Sequence, residues 1–235
     1  MDEASKTNSI RDLSFRERYL KGRIIDIGCG RDLVCSGAEP FDLPDGDAQE
    51  IASIRDNNAY DTVHSSHCLE HMRDPVHALS QWWALVKPGG HLIVVVPDED
   101  LYEQGFWPSR FNHDHKATFR LNSPTSWSPV SHDIKAIVQS LPGADIVELE
   151  RQDLKYDYSL QAKGMTPNPL VPLIFLKSFK NIMRAVVKPF PLARQRLTRR
   201  LENAYFRTHG IPIDQTSRDA LAQIQIVAAK RITKN

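Results

Sequence analysis

Strands that alternate with helices along most of the chain predict an α/β fold: a doubly wound, mostly parallel sheet with an antiparallel last strand and a helical insertion before it. Three observations carry the prediction. The apolar run Arg23-Ile24-Ile25-Asp26-Ile27 suits a buried parallel strand and breaks at Gly28-Cys29-Gly30. A second, almost continuous apolar run, His91–Val96, follows a segment of helical periodicity. Near the end, Leu221–Ala229 sets Ile224 and Ile226 against Gln223 and Gln225, the alternation of an antiparallel strand.

Taken in order, residues 1–21 read as a polar leader with a short helix around Leu13–Leu20. Residues 22–169 read as the core. After the first strand a second, short one ends near Phe41-Asp42. So little chain separates it from the glycine turn that the first helix is cut to a turn or so. Tyr60–Ser66 is the third strand. Asp74-Pro75 starts a helix, an acidic cap followed by proline at the first helical position. Leu79, Trp82, Trp83 and Val86 follow at helical spacing. Lys87-Pro88-Gly89-Gly90 ends that helix and turns the chain into the second apolar run. Ile134, Ile137, Val138 and Leu141 mark another helix, and Asp145–Glu150 another strand. Residues 170–210 form the helical insertion, and residues 211–235 return the last strand to the sheet.

At 235 residues, 41% hydrophobic and 25% charged, the chain has ordinary globular composition, which excludes wholesale disorder. Thirty Lys and Arg against 29 Asp and Glu give no global case for nucleic acid. The balance is uneven, however. Residues 170–207 hold nine basic side chains (Lys177, Lys180, Arg184, Lys188, Arg194, Arg196, Arg199, Arg200 and Arg207) and one acid, Glu202, so the rest is acidic. This segment reads as a packed cap, as a homodimer face, or as an amphipathic surface in peripheral contact with an anionic membrane. No recognised nucleic-acid module accompanies it. Cys29, Cys35 and Cys68 lack metal-ligand spacing and read as reduced thiols, so a cytoplasmic location is expected. The polar start carries no secretory signal. Leu170–Leu176, broken by Pro172, is too short to span a bilayer.

The glycine turn after the first strand lets backbone approach a ligand at the carboxyl end of the sheet. Asp42 follows, where a carboxylate can accept ribose hydroxyls, with Glu39 as a competing acid; Asp47 and Ala48 come next. An NAD-type reading is disfavoured because Leu33 stands where its third glycine is needed. In this order, Asp26-x-Gly28-x-Gly30, Gly46-Asp47-Ala48, Tyr60-Asp61-Thr62-Val63, Ser66-His67-Cys68-Leu69-Glu70-His71 and Val86-Lys87-Pro88-Gly89-Gly90 resemble the class I methyltransferases of the type 11 group, which use S-adenosyl-L-methionine (SAM) on a Rossmann-like core. The resemblance covers roughly residues 15–150. It implies that Gly28, Cys29 and Gly30 lie against the methionine part of SAM, with Asp26 near its amino group. It places Asp42 on the ribose, Asp47 and Ala48 on the adenine, and Ser66 and His67 at the mouth. Asp32 stands where the group has its usual third glycine.

Methyl transfer is an in-line displacement, and a hydroxyl acceptor needs a base. Histidine suits that role near neutral pH. The candidates are His115, His113, His71 and His67, with Asp114 able to orient a neighbour. The loop 98–130 that carries three of these five is long enough to be functional. Tyr102, Trp107 and Phe111 in it could stack on a ring. His113, Asp114 and His115 could help hold a divalent metal, but adjacent positions make poor joint ligands unless the backbone is kinked and no other metal-spaced partners stand out, so no metal ligand is assigned. The expected reaction is O-methylation of a hydroxylated small molecule or glycan precursor. N- or C-methylation of an amine or quinone-like acceptor is the enzymatic alternative, and a silent binding partner the non-enzymatic one.

Overall fold

The computed structural model describes residues 3–162, 203 and 211–232. The chain divides into two compact units, Met1–Tyr156 with Gln215–Asn235, and Asp157–Asp214. In the second unit the described residues include a 3-10 turn, Tyr158–Leu160, capped by Asp157, whose carboxylate accepts from Ser159 N–H at 3.0 Å. The basic insertion expected over 170–210 lies outside the described residues, Asn203 apart. Among the described residues, no helix is long and apolar enough to cross a membrane.

The first unit is built on β1 (Ile24–Ile27), β2 (Glu39–Phe41), β3 (Tyr60–Ser66), β4 (Val86–Pro97), β7 (Ala144–Gln152) and β8 (Gln223–Lys230), in the order β2-β1-β3-β4-β8-β7. β8 runs antiparallel to both of its neighbours and the other pairs are parallel. β5 (Thr118–Arg120) and β6 (Ser131–Asp133) form a separate two-stranded parallel pair. The helices are α1 (Glu3–Asn8), α2 (Leu13–Tyr19), α3 (Pro75–Leu85) and α4 (Ile134–Gln139).

Strand alternation explains the layering. Ile25, Val63, Leu92, Val94 and Ile226 join α3 and α4 in one apolar cluster around the fully buried Trp82. Ile93 and Val227 meet Phe15 and Tyr19 of α2 in another. Asp74 caps α3 through Val76 N–H and His77 N–H, and Pro75 opens it, as the residue pattern predicts.

Three expectations need correction. No helix, even a truncated one, forms between β1 and β2; residues 28–38 are turns and irregular chain. Lys87–Gly90 does not separate helix from strand, because β4 already starts at Val86. Its pairing jumps from Tyr60↔Val86 to Thr62↔His91, so these residues make an irregular excursion within the strand. The segment 98–130 is tied down rather than structureless: Glu99, 3% exposed, accepts from Thr118, Ser126 and Ser131 hydroxyls.

The register brings Ile27 opposite Phe41 on one side and Ser65 on the other. The carboxyl ends of β1, β2 and β3 therefore open together, where strand order reverses, the usual place for a ligand in such sheets.

Candidate functional site

The turn after β1 is held from both sides. Gly28 N–H donates to Phe41 C=O at 2.8 Å, and Gly30 N–H donates to the Asp42 carboxylate at 2.8 Å. Gly28 has φ of +72°, and a β-carbon there would lie 2.5 Å from Cβ and Sγ of Cys68, so glycine is needed for the turn to pack on the segment after β3. At Gly30, φ +55°, an added β-carbon would meet only Asp42 Oδ2 at 4.0 Å, so bare backbone faces open space.

Two cavities meet at this turn, sharing Gly28 and His67. The larger, about 610 Å³, is also lined by Asp42, Asp47 and Ala48, and by His71 and Asp114. The smaller, about 370 Å³, is lined by Asp26, Cys29, Gly30 and Ser66, together with Glu3 and Asp32. All nine residues singled out for the cofactor thus border one cavity or the other. Of the catalytic candidates, His71 and Asp114 line the larger cavity. His115 is buried and His113 exposed, and neither lines it.

The acids around the turn divide by what they already hold. Asp26 is 1% exposed; one oxygen accepts from Val34 N–H at 2.7 Å and the other pairs with His64 Nδ1 at 2.6 Å. It borders the smaller cavity while these two contacts brace the turn. Arg11 reaches His64 Nε2 at 3.3 Å and Gln225 at 2.7 Å, so a neutral His64 donates to Asp26 and accepts from Arg11. Glu39 is spoken for by Arg55 at 2.9 Å, Tyr60 at 3.1 Å and Arg23 at 3.2 Å, so of these two acids only Asp42, which accepts from Gly30 and Leu43 N–H, lines the cavity. Asp47 accepts from Gln49 N–H and pairs with Arg73 at 2.9 Å, and these hold its carboxyl below the usual range. Asp32, in the place of the third glycine, fastens α1 beside the smaller cavity by accepting from Ser5 N–H at 2.7 Å and Ser5 Oγ.

Burial depresses the pKa of His64, and the nearby Asp26 carboxylate only partly opposes it. A base whose folded pKa is lowered contributes stability that is full above its unfolded pKa, about 6.5, and lost as pH falls below it. Chemical unfolding is therefore expected to show stability declining from pH 7 toward pH 5. A His64→Gln variant, without a proton to gain, should show a flatter profile in that window; an unchanged slope would remove His64 as the cause.

A second cluster lies behind the larger cavity. Glu70 is 1% exposed, and among the described residues neither carboxylate oxygen has a hydrogen-bond partner; His67 Nδ1 stands at 3.5 Å and His115 Nε2 at 4.0 Å. His115 Nδ1 pairs with the buried Glu103 at 2.7 Å, and His71 Nδ1 with Asp114 at 3.1 Å. The His71 and His115 rings meet edge to face at 5.1 Å. Burial would lower the His67 pKa, but the close contact with Glu70 at 3.5 Å, the Glu70 charge and Glu3 at 3.7 Å outweigh it and raise it to about 9. His67 is then an imidazolium at neutral pH, donating from Nε2 to Gln223 at 3.0 Å, and cannot act as a base there. The sequence reading missed Glu70 and Glu103 as members of this cluster, although Glu70 stands beside His71 in the Leu-Glu-His run.

The paired cavities suit an adenosyl amino acid. Bare backbone at Gly30 provides a cradle, Asp42 and Asp47 provide acceptors, and the Ser66 hydroxyl, buried and without a hydrogen-bond partner, borders the smaller cavity. Among solved structures, the chain is similar to a SAM-dependent methyltransferase from Archaeoglobus fulgidus, at 17% identity over 97% of this chain and 94% of that one, with a TM-score of 0.48. It is also similar to phosphoethanolamine N-methyltransferase 2 of Haemonchus contortus, solved with SAM, at 12% identity over 94% of this chain and 52% of that one, with a TM-score of 0.45. No curated protein sequence matches it significantly. The family model described as "Methyltransferase domain" matches residues 8–140, more than half of the chain. The chain therefore belongs to the methyltransferase-domain family and is a class I SAM-dependent methyltransferase.

Proposed function

We propose that this enzyme methylates a hydroxyl oxygen of a small molecule or glycan precursor bound in the larger cavity, and that the acceptor's proton is drawn off at His71. The observation that supports the reading is one contact: His71, on the cavity wall, has Nδ1 hydrogen-bonded to Asp114 C=O at 3.2 Å, with the Asp114 carboxylate 3.1 Å away. An Nδ1–H that donates to a backbone carbonyl leaves Nε2 with the lone pair, the tautomer a base needs. SAM supplies the methyl group as a sulfonium. The chain's own residues hold the acceptor beside it, keep water out and receive the proton. His115, the first choice from sequence, is buried at 4% side-chain exposure with Nδ1 committed to Glu103, so its role here is to position the His71 ring. His67, already protonated at neutral pH, shapes the mouth and does not take the proton.

The test uses methyl-labelled SAM with a panel of sugars, alcohols and phenols beside a panel of amines. Label is expected in ether products. His71→Ala is expected to lower kcat by about 10²-fold, the range for losing a general base, with SAM affinity unchanged. Undiminished turnover of that variant at neutral pH would remove His71 from the role. Label confined to amines would overturn the choice of oxygen.

A further inference from the structure

We propose that Glu70, His71 and His115 form a binding site for one divalent transition-metal cation at the edge of the larger cavity. Each offers one ligand atom, and the three atoms lie within 4.8 Å of one another. Glu70 is the feature with room for an occupant, its nearest counter-charge being the His67 imidazolium at 3.5 Å. Its carboxylate is withdrawn from water and, among the described residues, makes no hydrogen bond through either oxygen, while ring nitrogens stand at 3.5 and 4.0 Å. Buried carboxylates are ordinarily hydrogen-bonded, paired closely or bound to a metal.

The two histidines are arranged as metal ligands are. Each has its Nδ1 on an oxygen acceptor, His115 on the Glu103 carboxylate at 2.7 Å and His71 on the Asp114 main-chain carbonyl at 3.2 Å. That outer contact fixes the ring and the tautomer and leaves Nε2 for a cation. The two ligand-bearing segments are also stapled together. Glu70 C=O accepts from Lys116 N–H at 2.7 Å and Ala117 N–H at 3.2 Å, and His71 C=O accepts from Lys116 Nζ at 2.7 Å. The spacing between Glu70-His71 and His115 is thus set by backbone, and ordering the ligands costs little at the moment of binding. Two imidazoles and one carboxylate favour Zn²⁺, Mn²⁺, Fe²⁺ or Co²⁺ over Ca²⁺ or Mg²⁺, and leave coordination positions open.

This inference rests on the reading of the larger cavity as the acceptor site and replaces one step of it. A cation on His71 Nε2 takes the lone pair that would otherwise receive the proton, and instead acidifies the acceptor hydroxyl it binds, the proton passing to solvent. His71 is the ligand on the cavity wall, so oxygen atoms of the acceptor would fill open positions, which selects acceptors with two neighbouring oxygens, such as vicinal diols or hydroxy acids.

The test uses the EDTA-treated full chain without SAM or acceptor, titrated with Co²⁺ and followed by visible absorption, then with Zn²⁺ by calorimetry. One Co²⁺ per chain is expected. Glu70→Gln and His71→Asn should each weaken binding by at least roughly 100-fold, and Glu103→Gln by about 10-fold through loss of the outer contact. His71 is partly exposed, so the His71→Asn variant keeps the test open if Glu70→Gln does not fold. No Co²⁺ bound at millimolar concentration would overturn the proposal and would show that the His67 imidazolium is sufficient counter-charge for Glu70. Binding that survives in both ligand variants would overturn it equally. Cation binding with label transferred only to amines would leave the site standing and sink the hydroxyl reading. Hydroxyl methylation by a chain that binds no cation would do the reverse.

Discussion

Gly28→Ala is expected to weaken SAM binding by roughly 10³-fold and to destabilise the fold by about 3 kcal/mol, combining a left-handed backbone with overpacking. Two independent costs meet at this residue. Its φ of +72° is one that side chains with a β-carbon adopt reluctantly, and the new carbon would sit 2.5 Å from Cβ and Sγ of Cys68. Cys68 belongs to the main apolar cluster and directly precedes the Leu69–His71 turn, so it cannot retreat without moving Glu70 and His71. Alternatively the glycine turn moves, breaking the Gly28–Phe41 hydrogen bond and the link from Gly30 to Asp42. Either way both cavities deform, since Gly28 borders both. Gly30→Ala separates the two costs. Its φ of +55° carries a similar backbone penalty, about 1 kcal/mol, but the added carbon clashes with nothing in the protein and projects into the crevice. It should lose SAM affinity while keeping a thermal midpoint close to that of the parent. Calorimetric titration with SAM and thermal unfolding check both variants. A Gly28→Ala chain that binds SAM as tightly as the parent would mean that the cofactor does not lie over this turn.

Much of the fold is legible in the sequence because its signals are local. The Ile24–Ile27 run, the Asp74-Pro75 cap and the alternation before Lys230 each name an element without reference to the rest. What escapes the sequence depends on distant partners. Asp32 can replace a glycine because Ser5, far back in the chain, occupies its carboxylate. Glu39 and Asp42 look equivalent in sequence, and only the arrival of Arg23, Arg55 and Tyr60 consumes the first and leaves the second at the cavity. The segment 98–130 reads as a loop because its order comes from scattered contacts, among them the buried Glu99 gathering three hydroxyls and His115 on Glu103, a pattern with no period. The same holds for the histidines. His113, Asp114 and His115 are consecutive, yet they divide between solvent, the cavity wall and the interior, and the partners that decide their chemistry, Glu70 and Glu103, come from elsewhere.

Asp26→Ala is expected to destabilise the first unit by about 4 kcal/mol, the scale for removing one partner of a buried charged pair. Asp26 is the carboxylate in a line of buried polar groups: Val34 N–H, Asp26, His64, Arg11 and Gln225. Arg11 is only 6% exposed, and burial lowers its pKa to about 10, with Asp26 the main favourable charge opposing that burial. Without the carboxylate, the Arg11 charge keeps Gln225 but loses its counter-charge, and both Val34 N–H and the His64 Nδ1–H are left without acceptors. The damage should reach the cofactor crevice through the chain, because Arg11 lies between α1 and α2, and α1 borders the smaller cavity at Glu3 and Ala4. The double variant Asp26→Ala/Arg11→Met removes the stranded charge together with its partner and should recover part of the loss, as apolar replacement of buried ion pairs generally does. Urea unfolding of the parent, the single and the double variant measures this directly. A single variant that costs less than about 1 kcal/mol, within the range of an ordinary hydrogen bond, while abolishing SAM binding, would return Asp26 to the role its place after β1 first suggests, a ligand for the cofactor's amino group.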